Sequence, residues 1–320
     1  MHLILTGISG FLGRQFADLA HAKGHTITAI VRVGHKQKYD GVKVIECDLV
    51  RNASLTSEMK SADAVIHCAA DTNMSSRRIN SAWSFNVRGT ENLVRESKAA
   101  GVKRFIHIST ANTLSGDESN AISSSRLPYI QSKIENERML LQEFRDSNFP
   151  VVILNPSFIL GPASQRWGST ELIKTMMSNR ILFYTRGGKN VVDVRDVAAA
   201  VLNAVTMGKT GQRYLLVNTS MPYRNIIDVV DSSLNRNTFK LRLPDLLCNL
   251  VGYSGTALSL LRSRGSTINH VTMGLAMKNA IYTTPKAHRE LGFTARPAEE
   301  TIIDTVKSLS ARISNNKPHR

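Results

Sequence analysis

The chain has 320 residues, of which 42% are hydrophobic and 21% charged, and its formal net charge is +16. This composition supports a sizeable core in one large domain or two lobes. Its Lys and Arg residues are scattered and only 6% of residues are aromatic, so we expect no nucleic-acid partner. The positive charge favours a basic surface that attracts anionic ligands.

No apolar run reaches the ~20 residues that cross a bilayer. The start, MHLILTGISG, reads directly into a strand and lacks the pattern of a secretion signal, so we expect a cytoplasmic protein. Cys47, Cys68 and Cys248 are far apart and form no CxxC pair, which predicts free thiols rather than disulfides. No His, Cys and Asp cluster has metal-ligand spacing, and no metal is expected.

Apolar runs and amphipathic stretches alternate through the first half of the chain. The runs predict strands over 2–6, 26–31, 42–47, 63–70, 103–110 and 150–156, and the stretches predict helices over 11–23, 53–60, about 77–100 and 128 to about 145. The runs lack in-out alternation, as strands of a parallel sheet covered on both faces do. This order predicts an α/β fold, a doubly wound Rossmann sheet with ligands at the carboxyl ends of its strands.

The second half is less regular and predicts a smaller, mostly helical C-terminal lobe. Turn-forming loops are predicted at 161–168 and 186–190, and one strand at 213–217. Helices are predicted over 196–207, 224–235, 244–262 and 299–310. The apolar stretch 243–261 is expected to roof a substrate pocket. An oligomer contact or a membrane contact are the alternatives.

The first turn after a predicted strand reads TGISGFLG and spaces Gly7, Gly10 and Gly13 as GxxGxxG. An early glycine permits a tight turn, a second lets backbone N–H groups approach phosphate, and a third lets helix and strand pack closely. A pyrophosphate would then cap the following helix. We expect Phe11 and Leu12, the first helical residues, to contribute to the same dinucleotide site.

Arg32 and Lys36 follow the second predicted strand. A site for NAD usually has an acidic residue there, which accepts hydrogen bonds from the ribose 2′-OH. An arginine at this edge can instead pair with a 2′-phosphate. We therefore predict that NADP(H) is preferred over NAD(H).

The glycine turn, the YIQSK stretch at 129–133 and the NPSFILGP stretch at 155–162 together resemble extended short-chain dehydrogenases/reductases of the NAD-dependent epimerase/dehydratase family. The nearest branch contains dihydroflavonol-4-reductase, cinnamoyl-CoA reductase and 3β-hydroxysteroid dehydrogenase. Further stretches share this resemblance, namely HCAAD (67–71), NVRGTENL (86–93), VVDVRDVA (191–198) and YTTPKAHRELGF (282–293).

The resemblance implies an NADP-binding Rossmann domain over 1–160 plus about 190–220. It implies a substrate-binding lobe over about 161–189 and 221–320. The family pattern also implies further cofactor contacts from Asp48, Leu49, Ala69, Ala70, Pro156 and Phe158.

Tyr129 is implied to donate or accept the proton, with Lys133 as its partner; both would also contact the cofactor. A free phenol has a pKa of about 10, and a cation one helical turn away is expected to lower it. The family has a Ser or Thr after strand five that binds the substrate oxygen. One register gives Thr110, with Ser109 as the fallback, and another register gives Ala111. Asn86 is implied to order a helix and a relay water, although a buried, satisfied Asn fits equally.

The implied activity is NADP(H)-dependent interconversion of a carbonyl and a secondary alcohol, on a small and fairly hydrophobic substrate. The main alternative is a nucleotide-sugar epimerase with tightly bound NAD. A dehydratase would need an Asp-Glu pair that the STANT stretch lacks, and a non-catalytic relative would usually lack the tyrosine or the lysine. We expect a monomer or homodimer, and no membrane contact.

Overall fold

The computed structural model of the protein describes residues 1–51, 54–72, 83–114, 127–162, 169–261, 269–278 and 282–315, with the backbone alone for 257–261 and 313–315. The beginnings of the helices predicted at 53 and about 77 and most of the loop predicted at 161–168 lie outside these ranges. So do Gly116 and Asp117, the residues on which the register that gives Ala111 is based.

The strands, in chain order, are β1 (His2–Thr6), β2 (Thr26–Val31), β3 (Val42–Glu46), β4 (Ala64–His67), β5 (Phe105–Ile108), β6 (Val151–Pro156), β7 (Phe158–Leu160), β8 (Ile181–Tyr184), β9 (Gly188–Asp193), β10 (Gln212–Leu216), β11 (Thr219–Pro222) and β12 (Phe239–Arg242). The helices are α1 (Phe11–Ala22), α2 (Thr56–Met59), α3 (Gly89–Ala99), α4 (Pro128–Ser147), α5 (Glu171–Ser178), α6 (Val194–Met207), α7 (Tyr223–Ser233), α8 (Asp245–Leu261), α9 (His270–Ala276), α10 (Pro285–Leu291) and α11 (Ala298–Asn315). A π-helix, Ser84–Arg88, leads into α3, and a 3-10 helix spans Ala111–Thr113.

Seven strands form a parallel sheet in the order β10-β6-β5-β4-β1-β2-β3. The chain moves outward from β1 to β3 and then returns to place β4 on the other side of β1. This reversal is the topological switch point at which doubly wound folds bind ligands. The predicted α/β Rossmann class is confirmed.

The chain divides into two compact units. The first comprises Met1–Pro156, Arg195–Leu216 and Thr284–Thr294, and the second comprises Ser157–Val194, Val217–Thr283 and Ala295–Arg320. Thr284–Thr294 thus belongs to the first unit, whereas the predicted boundaries place it in the lobe. The assignment of cofactor to one unit and substrate to the other stays a prediction.

The first unit packs α2, α3 and α4 against one face of the large sheet. Phe105, Val151 and Ile153 from the strands and Leu93 and Leu140 from the helices are buried in this core. Helix α4 begins with Pro128 in its first turn and ends at Asn148, which has a left-handed φ of 52°. Proline fixes the φ that a helix start requires, and a left-handed residue ends the helix. Tyr129 therefore lies in the first turn of α4.

The second unit contains two small sheets that the sequence patterns did not reveal. One has the order β11-β9-β7 and the other pairs β12 with β8. Its core combines residues of β7 and β9 with α5, α7 and α11, including Leu160, Val191, Ile173, Ile226 and Ile302.

Candidate active site

The glycine turn joins β1, α1 and the end of β4 at contact distance. Gly7 has a φ of +81°, and a Cβ atom there would lie 2.7 Å from the Ala69 nitrogen. A Cβ atom on Gly13 would lie 2.2 Å from the carbonyl oxygen of Gly7. Only hydrogen fits at either position, so both glycines are required by the backbone packing.

Helix α1 presents its N-terminus without a side-chain cap. Gly10 is the N-cap residue, and the first turn of the helix contains no acidic side chain. The N–H groups of Phe11, Leu12 and Gly13 are the first of the helix and have no intrahelical acceptor. Together with the positive end of the helix dipole they suit a phosphate group. The residues present therefore fit the pyrophosphate of a dinucleotide.

The loop after β2 holds the predicted 2′-phosphate contacts. Arg32 and Lys36 are both exposed there. The backbone N–H of Gly34 donates to Glu46 Oε2 at 2.9 Å, which brings a carboxylate from the end of β3 to the same loop. Sequence reasoning missed Glu46, although its position at the carboxyl end of a strand next to β2 was a usable signal.

The loop after β3 is ordered by the Asp48 side chain. Its Oδ1 accepts hydrogen bonds from the Val50 N–H at 2.9 Å and the Arg51 N–H at 3.2 Å. Leu49 is 6% exposed and packs in the core, and its carbonyl oxygen accepts from Asn92 Nδ2 at 2.8 Å. These contacts fix the loop; the predicted roles of Asp48 and Leu49 toward the cofactor stay predictions.

A chain of buried polar groups crosses from β1 to α3. Thr6 Oγ1 lies 2.7 Å from His67 Nδ1, and His67 Nε2 lies 2.9 Å from Thr90 Oγ1. The Ala69 N–H donates to Thr6 Oγ1 at 3.2 Å. Burial, with the charge of Lys133, lowers the pKa of His67 to about 3, so this imidazole is neutral. The chain fixes the backbone at Ala69, beside Ala70, where the resemblance predicted cofactor contacts.

Asn86 ties the loop after β4 to helix α4. Its Oδ1 accepts from the Asp71 N–H at 2.7 Å, and its Nδ2 donates to the Asp71 carbonyl oxygen at 3.0 Å and to Ser132 Oγ at 2.9 Å. The π-helical turn frees the Asn86 carbonyl oxygen, which accepts from Asn136 Nδ2 at 2.9 Å and from Thr90 Oγ1 at 2.6 Å. Asn86 is therefore buried and satisfied, and it orders the backbone that leads into α3; its part in ordering a relay water stays a prediction.

Tyr129, Lys133 and Glu137 follow one another at i, i+4 and i+8 along a single face of α4. Lys133 is 2% exposed, and its Nζ donates to the Ile108 carbonyl oxygen at 2.7 Å. Burial lowers the pKa of Lys133 to about 8, while Cys68 and Glu137 oppose this shift. Burial raises the pKa of Tyr129 to about 12. The expectation of a lowered phenol pKa is therefore wrong in this structure, because burial penalises the phenolate.

Glu137 is the centre of a second buried network, which sequence reasoning missed. Its Oε1 accepts hydrogen bonds from Ser109 Oγ, from Thr113 Oγ1 at 2.7 Å and from Asn155 Nδ2 at 2.7 Å. Arg213 Nε lies 2.9 Å from Oε2 and balances its charge. The i+4 spacing from Lys133 was a signal for Glu137, and the position of Asn155 near the end of β6 was a signal for the amide.

The two candidate hydroxyl groups after β5 differ in their hydrogen bonds, because only Ser109 donates to Glu137. Ser109 Oγ is engaged as a donor to Glu137. Thr110 is 7% exposed, caps the 3-10 helix, and its Oγ1 accepts from the Asn112 N–H at 3.3 Å. A hydroxyl that accepts from a backbone N–H keeps its own proton for donation. Ala111, the residue given by the other register, has no polar side chain to offer.

The last two predicted cofactor residues fall in different units. Pro156 ends β6 in the first unit, and Phe158 opens β7 in the second. Within the second unit, Lys189 lies in the loop predicted at 186–190, and its ammonium is 5.4 Å from the centre of the Phe158 ring. Burial lowers the pKa of Lys189. Residues 188–190 of the loop predicted at 186–190 belong to strand β9, so this segment is not only a turn.

A doubly wound parallel sheet, an uncapped helix after a glycine turn, and a half-buried tyrosine one helical turn from a buried lysine together define a nicotinamide-dependent oxidoreductase. The profile of the NAD dependent epimerase/dehydratase family matches residues 3–218, and the chain belongs to this family. The resemblance inferred from the motifs is thereby confirmed. The protein is an enzyme of the short-chain dehydrogenase/reductase type that acts on alcohol and carbonyl groups with a nicotinamide dinucleotide.

Individual relatives span nearly the whole chain. A putative dihydroflavonol 4-reductase of Synechocystis sp. is 26% identical, over 94% of this chain and 92% of its own length. A 4-hydroxy-2-methyl-3-oxo-4-farnesyl-3,4-dihydroquinoline-1-oxide ketoreductase of Stigmatella aurantiaca is 24% identical over 100% of both chains. The crystal structure of gox2253 superposes with a TM-score of 0.84 at 25% identity, over 97% of this chain and 98% of that one.

Proposed function

We propose that the protein is an NADP(H)-dependent reductase/dehydrogenase that interconverts a carbonyl compound and a secondary alcohol. The observation that carries this proposal is the arrangement at the end of β5. Lys133 is buried on the same helix face as Tyr129 and bonded to the Ile108 carbonyl oxygen, two residues before Thr110. A phenol, an ammonium and a hydroxyl are the groups that carbonyl reduction requires.

The chain's own residues then have distinct tasks. When bound, the nicotinamide supplies or takes up the hydride. Tyr129 gives its phenolic proton to the carbonyl oxygen, and Lys133 stabilises the phenolate that forms. Thr110 donates a hydrogen bond to the same oxygen. In alcohol oxidation the same groups act in reverse.

The cofactor would be held by the first unit. The N–H groups of Phe11, Leu12 and Gly13 suit its pyrophosphate, and Arg32 and Lys36 suit a 2′-phosphate. Glu46 is a competing feature, because a carboxylate near this loop suits the 2′-OH of NAD. The exposed cations of the loop outnumber that carboxylate, and they support a preference for NADP(H).

The substrate is proposed to be a small, fairly hydrophobic carbonyl compound. The named ketone substrate of the Stigmatella relative carries a farnesyl chain, which supports this class. A cytoplasmic location and a monomeric or homodimeric state remain predictions.

The test is a panel of hydrophobic aldehydes and ketones, followed by the loss of NADPH absorbance. We expect turnover with the intact protein and none with Tyr129→Phe, which should still bind NADPH because its ring is retained. Tyr214→Phe is the matched control, since it removes a tyrosine hydroxyl bonded to Glu290 and not that of the proposed proton donor. Turnover by Tyr129→Phe at the wild-type rate contradicts the proposal.

A nucleotide-sugar epimerase is the second candidate, and Glu46 is the observation that favours it. An epimerase of this fold would retain NAD through purification. Absorbance and mass analysis of the purified protein distinguish the two, because a reductase should be isolated without NAD and should take up NADPH.

A further inference from the structure

The second unit carries an exposed apolar surface on its two-stranded sheet. In this sheet Ile181 pairs with Phe239 and Phe183 pairs with Leu241. These four side chains are 58%, 64%, 61% and 45% exposed, respectively. Side chains two apart on a strand, and directly opposite on its partner, share one face of the sheet. The four residues therefore form a continuous apolar strip, which we call the apolar ladder.

The opposite face of the same strands holds the charged and core residues. Leu182 is buried in the core of the second unit. Lys240 points to acidic groups of α7, with Nζ 2.6 Å from Asp228 Oδ1 and 2.9 Å from Asp231 Oδ2. A half-exposed sheet normally places polar side chains outward and apolar ones inward. Strand β12 inverts this rule, with Phe239 and Leu241 outward and the paired Lys240 inward, whereas β8 is apolar on both faces.

Helix α8 follows β12 after two residues and carries a second set of exposed apolar side chains. Leu246, Leu250 and Tyr253 are 73%, 59% and 65% exposed and recur at i, i+4 and i+7 along one face. The other face is packed, because Cys248 is fully buried and a Cβ on Gly252 would lie 3.0 Å from His270 Cα. The outward face of α8 is thus apolar by its own pattern and not through loose packing.

Two exposed cations stand at the ends of these strands. Arg180 precedes β8, Arg242 ends β12, and both are exposed. The nearby Asp245 carboxylate is paired with Arg186 at 3.0 Å. The formal net charge of the whole chain is +16. An exposed apolar surface on a strongly cationic chain complements an anionic lipid surface, whereas a second copy of this chain would bring the same positive charge.

We infer that the apolar ladder and the outward face of α8 dock the protein onto an anionic bilayer surface. Among the described residues, none of the helices combines the length and the apolar character that crossing a bilayer requires. The contact is therefore interfacial, with the aromatic rings of Phe183, Phe239 and Tyr253 at the level of the headgroups. The inference takes up the membrane alternative stated for the 243–261 stretch, against the general expectation of no membrane contact. It goes beyond the proposed reductase activity and does not depend on it.

The test is flotation of the full-length protein with vesicles of phosphatidylcholine alone or of an equal mixture of phosphatidylcholine and phosphatidylglycerol. We expect binding to the mixed vesicles that weakens as salt is raised. The double variant Phe183→Ser/Phe239→Ser should bind roughly tenfold more weakly or worse. Leu246→Ser/Leu250→Ser should do the same on the separate helix, which protects the test if the strand variant misfolds. Met207→Ser is the control, since Met207 is an exposed apolar residue of α6 in neither element.

Two further measurements make the result decisive. Arg180→Gln/Arg242→Gln should weaken binding to the mixed vesicles alone, and circular dichroism melting should show that every variant is folded. Absence of wild-type binding to mixed vesicles overturns the inference. The inference is also overturned if the Phe183→Ser/Phe239→Ser and Leu246→Ser/Leu250→Ser variants are folded and bind the mixed vesicles as well as the wild type does. A wild-type dimer in sedimentation equilibrium that becomes monomeric in the ladder variant, without vesicle binding, would assign the surface to a second copy instead.

Discussion

The ammonium of Lys133 donates a hydrogen bond of 2.7 Å to the carbonyl oxygen of Ile108. This bond ties helix α4 to the last residue of β5, directly before Ser109 and Thr110. The proposed proton donor and the proposed oxygen-binding hydroxyl are thus carried on two elements joined by the lysine itself. Such a bond orders the lysine without neutralising it, because a carbonyl oxygen carries no net charge.

Lys133 should control the alkaline limb of carbonyl reduction. Burial lowers its pKa to about 8, so it is charged below this pH and becomes neutral as the pH rises through it. Tyr129, with a pKa raised to about 12, keeps its proton over the same range. We expect kcat/KM to fall above about pH 8, as measured by NADPH consumption over a pH series. Lys133→Arg, which stays charged, should remove this limb; an unchanged limb in an active variant would assign it to another group.

Ser109 and Thr110 should differ in what their hydroxyl groups support. Ser109→Ala removes a donor to Glu137, so we expect a loss of about 1 kcal/mol in the free energy of unfolding and a nearly unchanged kcat. Thr110→Val should lower kcat by roughly 10²-fold, because it removes a hydrogen bond to the reacting oxygen. It should also cost about 1 kcal/mol through loss of the 3-10 helix cap. Urea unfolding and steady-state kinetics on both variants check this. The reverse pattern would make Ser109 the oxygen-binding residue.

Removing the charge of Glu137 should destabilise the first unit strongly. Glu137→Gln leaves Arg213 without its carboxylate partner in a buried site, which costs about 3 kcal/mol. Glu135→Gln, two residues earlier on the same helix, breaks an exposed ion pair with Arg138 and should cost less than about 1 kcal/mol. Urea unfolding measures both. Similar losses in the two variants would show that Glu137 contributes no more than a surface pair.

Arg32 should affect one cofactor and spare the other. Arg32→Ser removes a charge-assisted contact to the 2′-phosphate, so KM for NADPH should rise by roughly tenfold or more while KM for NADH stays the same. Arg95→Ser, on an exposed surface of α3, is the control. Equal effects on both cofactors would argue against the proposed preference.

Asp231 should make the second unit sensitive to acid. Burial opposes the charged form, but hydrogen bonds from Thr238, Lys240 and Arg236 lower its pKa from 3.8 to about 2. A lowered pKa in the folded state contributes stability that is present above about pH 4 and is lost as the pH falls through about 2. The contribution is about 2 kcal/mol. Denaturant unfolding across this range should show the loss, and Asp231→Asn should flatten it.

The central sheet was predictable because most of its strands are short apolar runs and, apart from β2 and β3, helical stretches separate them along the chain. The glycine turn was predictable because Gly7 and Gly13 lie at positions where no side chain fits. The position of Tyr129 in a first helical turn followed from Pro128. In each case the controlling interaction is local in sequence or follows from a periodic pattern.

The Glu137 network was not predicted, because it depends on contacts distant in sequence. Ser109 and Glu137 are 28 residues apart, and their hydrogen bond requires the exact placement of α4 over β5. The strands of the second unit were missed for another reason. Ile181 and Phe183 face outward while Leu182 is buried, so β8 is apolar on both faces and lacks the in-out alternation that marks a half-exposed strand.

The π-helical turn at Ser84–Arg88 has a consequence for insertions and deletions. One residue more than a regular turn separates Asn86 from the helix that follows it. Losing a single residue there would restore an unbroken α-helix but rotate Asn86 by about 100° about the axis. Its amide would then point away from both Asp71 and Ser132. The number of residues in this stretch is therefore as constrained as their identity. A substitution in it should be easier to tolerate than the deletion of one residue.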